Sequence, residues 1–447
     1  MSNTVQTRIQ LGAWILATLT AISAAAQSNT LTAKRYDSGF PQGHDTFNGM
    51  GTGSDGNVYY VLSSYHHDVG AKMFAFDPAA ETTRLVGDLT EVCGEQGKNT
   101  IVQGKSHVKF VEAKGKLYFA THLGFYSMVD GMEKVGIPPA GWYPYPGGHL
   151  LAYDLTSGEF QDFGIPVEGE GILTMSMDAN RGRIYGISWP KGYFFRYDLA
   201  SGEHKNLGLF AEMGEDGRGE TYRTLCRSIA VDPRDGAAYF TTATGDILRY
   251  SYESDSVSVV TEDNLKKDYF GLYDPNSPGH MGYNWRQTVW SPSDSQIYGV
   301  HGNSGYLFRF DPTVKRVEVL DRITSEPSKR AGMFDQFSYG YLGFELGHDG
   351  RTLFYLTGGP IYSDGKRVAG KESTAMGESK GKENVHLITY DIPTLAYTDH
   401  GPIFYDDGSR PQYVNSIAVT KEKLVCFLAH VTEGEHPRTD LVTVKLK

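Results

Sequence analysis

Four residues fall at one equivalent position when short apolar strands of the sequence are laid over one another. They are His107 in HVKFVEA, Arg227 in RSIAVDP, Arg286 in RQTVWSP and Asn415 in NSIAVTK. A second recurrent strand ends in a residue that changes from copy to copy, and this adds His122, Trp189, His301 and His430. Guanidinium forks match carboxylates, so two arginines at convergent positions call for an anionic ligand. Two histidines beside them supply a base and an acid near neutral pH. Any one of these polar residues could simply hydrogen-bond water in a channel. Histidines and arginines converging together mark an anion-binding or catalytic site.

The elements that carry these residues repeat along the chain. Seven copies of one strand read GNVYYVLSS, GKLYFATHL, GRIYGISWP, GAAYFTTAT, SQIYGVHGN, RTLFYLTGG and EKLVCFLAH. Each is followed by a second type, such as KMFAFDP, HLLAYDL or YLFRFDP. A repeat of roughly 60 residues with several short strands per unit signals a β-propeller. The fold class is therefore all-β: a seven-bladed propeller with four-stranded blades. The last blade lacks an outer strand, and LTAKRYDSG at 31–39 is an orphan one. Pairing the two closes the ring with the N-terminal strand. In this fold the start of each inner strand and the end of the next open onto one face near the axis, so all eight variable residues point into one funnel. The recurrent Tyr59, Tyr118, Tyr185, Tyr239 and Tyr298 are scaffold, and Asp77, Asp154, Asp198, Asp311 and Asp391 are turn residues.

Composition narrows the setting. A net charge of −11 excludes a nucleic-acid binder, which needs basic excess to neutralise phosphates. Arg8, an apolar run from Leu11 to Ile22 and Ala24-Ala25-Ala26 form a secretory signal peptide at 1–26, so the chain is expected to be secreted or periplasmic. The remainder, 27–447, is one catalytic domain with no membrane span, expected to be a monomer. Cys93, Cys226 and Cys426 match no zinc spacing, and the latter two sit in strand-like runs as buried thiols.

The chemistry that suits carboxylate-binding arginines and histidines is β-elimination at a 4-linked uronate, an acidic oligo- or polysaccharide. The arginines stabilise charge developing on the carboxylate, one histidine removes the proton at C5, and a second histidine or a tyrosine protonates the leaving oxygen. A glycosidase would use two carboxylic acids. The aligned strand heads carry none, though Asp45, Glu168, Glu170 and Asp335 lie in nearby loops and keep a hydrolase open. Trp189 and the insertion at 124–148, with Trp142, Tyr143 and Tyr145, offer flat aromatic surface for sugar rings, or a flap packed on itself.

Several long motifs carry a resemblance. GILTMSMDANRGRIYGISWPKGYFFRYDL, TYRTLCRSIAVDP, YDPNSPGHMGYNWRQ and ITSEPSKRAGMFDQFSYGYLGF resemble the family of seven-bladed propellers acting on L-rhamnose-α-1,4-D-glucuronate. The resemblance spans nearly the whole chain after residue 26. It implies removal of rhamnose caps from arabinogalactan-type glycans, by lyases or by α-L-rhamnosidases. It places the lyase histidines on His107 and His122. Arg227, Arg286, His301, Trp189 and Asn415, from the aligned strands, are the candidates for binding substrate, together with Tyr341. The hydrolase variant uses one histidine elsewhere on the propeller, often replaced by glutamine. In PQGHDTFNGM that place falls on Gln42 or His44. An ulvan-type lyase and a non-catalytic glycan-binding propeller are the remaining alternatives. No cofactor is required. A structural calcium in the channel is suggested by fold analogy alone, and no loop of EF-hand type is present.

Overall fold

The structure is a computed structural model that describes residues 30–44, 47–270, 274, 281–301, 304–331, 343–364, 366–368, 383–414, 416–433 and 436–446. The segment 1–26, Asn415, Tyr341, Asp45 and Asp335 lie outside the described residues.

The recurrent strands form antiparallel four-stranded sheets. Blade one contains Met50–Thr52, Val58–Leu62, Lys72–Asp77 and Thr82–Asp88, joined in chain order. Blades two to five repeat this order over 111–162, 171–209, 230–259 and 285–322. Blades six and seven share one eight-stranded sheet. Blade six is Phe344–Leu346, Thr352–Pro360, Glu383–Asp391 and Ala396–Tyr405. Blade seven is Ala418–Val419, Leu424–Glu433 and His436–Lys445, completed by the N-terminal strand Leu31–Tyr36.

That strand pairs antiparallel with blade seven, Ala33 opposite Val444 and Tyr36 opposite Leu441. It also runs parallel to the outer strand of blade six, Leu31 opposite Ile403. The first pairing is the expected closure. The second was not anticipated, and it follows from the length of Ala396–Tyr405, whose end reaches past its own blade. Inner strands touch in succession from blade three round through seven to one. The ring is completed where the inner strand of blade three meets blade two, and where Phe110 N donates to Met50 O between blades two and one.

Stacking sheets on both sides buries a strand on both faces, so the second strands lose the usual alternation. Val58–Leu62 and Ala237–Thr241 are buried at every position. Aromatic rings fill the wedges between blades. Phe194 stacks on Phe240 at 4.4 Å, and Tyr239 meets Phe310 edge-on at 5.2 Å. The repeated tyrosines are buried, and Tyr185 OH donates to Gly236 O of the next blade at 2.7 Å. The repeated aspartates close turns by accepting backbone N–H groups two or three residues on, as Asp154 does from Thr156 and Ser157. Cys93, Cys226 and Cys426 are buried and unpaired. Among the described residues no helix is long and apolar enough to cross a membrane.

Candidate functional site

His107 lies four residues before the inner strand of blade two, Val111–Ala113, and His122 two residues after its second strand, Lys116–Ala120. The fold brings their rings to 5.6 Å between centroids. His107 Nδ1 lies 2.8 Å from Leu173 O, and His122 Nδ1 lies 2.8 Å from Leu123 O. A carbonyl only accepts, so in each ring Nδ1 carries the proton and Nε2 is the basic nitrogen. Gly171 sits directly under His122: a Cβ there would lie 2.8 Å from its Nδ1.

Both histidines are buried, and burial is the main reason that each resists protonation. His122 is lowered to about 3, with Lys105 and then Arg227 adding repulsion. His107 is held well below the ordinary imidazole value by burial, then by His122, Arg227, Lys105 and Arg286. Two neutral imidazoles therefore stand among three cations.

Arg227 is anchored. Its Nη1 pairs with Glu215 Oε1 at 2.7 Å and donates to Leu225 O at 3.0 Å. Glu215 also accepts from Trp189 Nε1 at 2.8 Å and from Leu225 N at 2.9 Å. Burial pushes the Glu215 carboxyl up, but Arg227 and these donors outweigh it and the net shift is downward. Arg286 is buried, with Nη1 2.6 Å from Met281 Sδ.

Other expected residues are placed differently. Trp189 is only 4 % exposed, its ring 5.5 Å from His122 and edge-on to Tyr126, so it forms the wall behind the histidine and not an open sugar platform. Among the described residues, the ring packed on His301 is Phe270 and not a member of the cluster. His301 is fully buried under Phe270, the two rings parallel at 4.2 Å, and its Nδ1 meets Ser304 Oγ. The turn at Asp268–Phe270 places Phe270 over the end of the His301 strand. Burial brings His301 down to about 3.

His44 lies on the same face as His122, bridged to Ser63 at the end of the second strand of blade one. Its ring is 4.3 Å from Tyr65 and 4.8 Å from His430, whereas Gln42 is exposed. His430 stacks on Tyr413, Tyr413 meets Phe47, and Phe47 stacks on His107. On the other side Tyr65 contacts Tyr126, which contacts His122. Four histidines and four aromatic rings thus close a circuit supplied by blades seven, one and two. Within it sits Lys105, its Nζ 4.7 Å from the Phe47 ring, 5.2 Å from Tyr65 and 5.1 Å from Tyr126, and 3.2 Å from Tyr126 OH.

Lys105, Phe47, Tyr65, Tyr126, Tyr413 and Glu215 escaped the strand alignment because all lie in connections. Lys105 stands two residues before His107, and the fold bridges its backbone to His122, a pairing that the strand alignment did not show. The insertion is both lip and flap. Tyr126–Val129 and Met132–Val135 form a hairpin, Tyr145 is buried with its OH on Gln103 Oε1, and Tyr143 is exposed. Of the loop carboxylates, buried Glu170 is engaged by Ser188 Oγ and Lys191 N. Among the described residues no three His, Cys, Asp or Glu side chains converge as metal ligands.

No protein-family profile matches the chain, and no curated protein matches it significantly. Solved structures do. A chain of the mitotic checkpoint complex aligns at TM-score 0.51 and 11% identity, covering 99% of both chains. The β-propeller domain of Myceliophteria thermophila Cps50 (Swd1) aligns at 0.51 and 10% identity, over 94% of this chain and 99% of that one. An oligogalacturonate lyase in complex with manganese aligns at 0.49 and 11% identity, over 94% and 97%. At such identities, the likeness of the first two supports the fold alone: the chain is similar to β-propellers.

Proposed function

We propose that this protein is an exported carbohydrate-active lyase that cleaves the L-rhamnose-α-1,4-D-glucuronate linkage by β-elimination. One observation carries the reading: His107 and His122 are neutral imidazoles with Nε2 as base, set among Lys105, Arg227 and Arg286. Proton abstraction beside a carboxylate needs that combination, a base already deprotonated and cations to stabilise the aci-carboxylate. Nε2 of one histidine takes the proton from C5, its electron pair forms the C4–C5 double bond, and the C4–O4 bond breaks. Tyr126 protonates O4; its hydroxyl accepts from Lys105 Nζ at 3.2 Å and turns its proton from Leu123 O, 3.0 Å away, to the leaving oxygen. Glu215, the carboxylate beside Arg227, is committed to Arg227 and Trp189. Export rests on the 1–26 pattern, and cleavage after Ala26 leaves the closing strand intact.

The test is turnover of a rhamnose-capped glucuronate glycan followed by the ultraviolet absorbance of an unsaturated uronate. His107→Ala and His122→Ala should each lower kcat by at least roughly 10²-fold, the scale of a lost acid–base group. The placement of His44 against His430 and Tyr65 supports a second reading, an α-L-rhamnosidase. A product without that absorbance, together with an inactive His44→Ala and active His107→Ala and His122→Ala variants, would replace the lyase reading with that one.

A further inference from the structure

We infer that Glu95 is a positioning residue of the lyase site: through Gln103 and the His149 imidazolium it fixes the two chain segments that hold His122 in place. This rests on the lyase reading and adds to it a residue that acts only through others. Glu95 is buried in the connection between blades one and two, and its two oxygens serve two partners. Oε1 lies 2.9 Å from His149 Nε2, and Oε2 accepts from Gln103 Nε2 at 2.9 Å. The other ring nitrogen of His149, Nδ1, faces the Asp162 carboxylate at 2.9 and 3.0 Å. Ionised carboxylates only accept, so both ring nitrogens carry protons and the ring is an imidazolium. Burial opposes that charge, but Asp162, Cys93 and Glu95 hold its pKa up to about 11.

The amide of Gln103 carries this polarity onward. It is buried, with both donors and both acceptor places of the amide filled. Nε2 donates to Glu95 and to Gly147 O at 2.9 Å, while Oε1 accepts from Thr121 Oγ1 and Tyr145 OH, both at 2.7 Å. A carboxylate at Glu95 demands the NH2 side of the amide, which leaves the oxygen for Thr121. Thr121 Oγ1 thus donates to Gln103 and accepts from His149 N at 2.8 Å. Thr121 precedes His122, and Gln103 stands two residues before Lys105, whose backbone pairs with His122 at 2.9 and 2.7 Å. The relay therefore clamps both segments beside that pair. A buried network with every member satisfied rigidifies what it joins.

A second blade separates scaffold from site. His386 and Asp399 of blade six repeat His149 and Asp162, each pair thirteen residues apart, with His386 Nδ1 3.0 and 3.1 Å from the carboxylate. Gly401 N donates to Asp399 as Gly164 N does to Asp162. The His–Asp pair is thus a recurrent brace between third and outer strands. Glu95 is what joins the brace of blade two to Gln103, and so to His122.

The experiment compares the full chain with its Glu95→Gln and His386→Gln variants, by Tm and by the ultraviolet assay on a rhamnose-capped glucuronate glycan. Glu95→Gln fills the same space but offers one acceptor oxygen to two donors, His149 and Gln103. It should lower kcat about 10- to 100-fold and leave KM within about threefold, because misplacing a base by about 1 Å slows the chemistry without removing a substrate contact. His386→Gln, which breaks the equivalent brace of blade six, should lower Tm and leave kcat unchanged. A folded Glu95→Gln protein with the natural kcat, or one whose loss lies in KM, overturns the inference, as does an equal loss of kcat in His386→Gln. If Glu95→Gln does not fold, Thr121→Val exchanges the relay hydroxyl for a methyl group and should lower kcat about tenfold. An unchanged kcat there overturns the inference equally. The two ideas fail separately: a natural protein that forms no unsaturated uronate sinks the lyase reading, whereas one that forms it at a rate independent of Glu95 and Thr121 sinks only this assignment.

Discussion

A histidine that must stay neutral has to be dried, given a fixed proton, and kept near positive charge, and His122 meets all three conditions. Burial, the Leu123 carbonyl and Lys105 supply them in turn. Its folded pKa near 3 lies under the ordinary 6.5, so between those values the unfolded chain binds more protons. The stability that this residue contributes is complete above about pH 6.5 and is lost as pH falls toward 3. His122→Asn keeps a donor for Leu123 O but cannot titrate. Between pH 7 and pH 5 its Tm should fall less than that of the natural protein, by the equivalent of roughly 1–2 kcal/mol. Parallel Tm–pH curves would show that His122 does not titrate as described. The residue scale was only partly legible in the sequence. His107 and His122 stood out because they interrupt a repeat. Lys105 did not, because a lysine outside an aligned strand reads as solvated surface. His301 has a neighbour that the sequence hid: Phe270, thirty-one residues earlier in the chain, stacks on it, and no strand comparison reveals a contact made by a turn.

Between residue and fold, the connections decide how the site is held. Glu215 lies in the one-turn helix Gly214–Asp216 and gathers Arg227, Trp189 and the Leu225 amide. The hairpin of the insertion docks on the same turn, Lys134 Nζ donating to Glu215 O and Gly217 O. One short segment thus ties an arginine, the wall behind His122 and the hairpin that begins with Tyr126. Lys134→Met retains the apolar stem and removes both bonds. It should speed amide hydrogen exchange across 126–135 and lower kcat/KM roughly tenfold, as Tyr126 loses its fixed place. Unchanged exchange and activity would mean that the hairpin is held by other contacts. Sequence reading placed this insertion where blade two meets the funnel mouth and read its aromatic content as sugar-binding surface or a flap packed on itself. Its anchor was hidden, since Lys134 and Glu215 are 81 residues apart and neither belongs to a repeated strand.

At the scale of the whole molecule, the repeat was legible because each blade solves the same packing problem with the same residues. Closure was legible too, since a three-stranded last blade and an orphan N-terminal strand leave little else for either to do. What the sequence did not show is that Leu31–Tyr36 serves two blades, because a parallel partner leaves no turn between the strands to betray it. The strand lies between Ala396–Tyr405 and His436–Lys445, so its removal exposes two edges and not one. Ala33 illustrates the double role: it is buried, opposite Val444 on one side and Tyr405 on the other. Tyr36 adds a contact to blade one, 4.7 Å from Phe76. Removing residues 31–39 therefore uncouples blade seven from blade six and loosens its contact with blade one. A chain beginning at Phe40 should melt on the order of 5–10 °C lower and should associate through its bared edges. Ala33→Pro, which removes one N–H and fixes one torsion inside the same strand, should move in the same direction by a smaller step. A shortened chain with the original melting temperature and no association would mean that the ring is closed by side-chain packing between blades, with the strand dispensable.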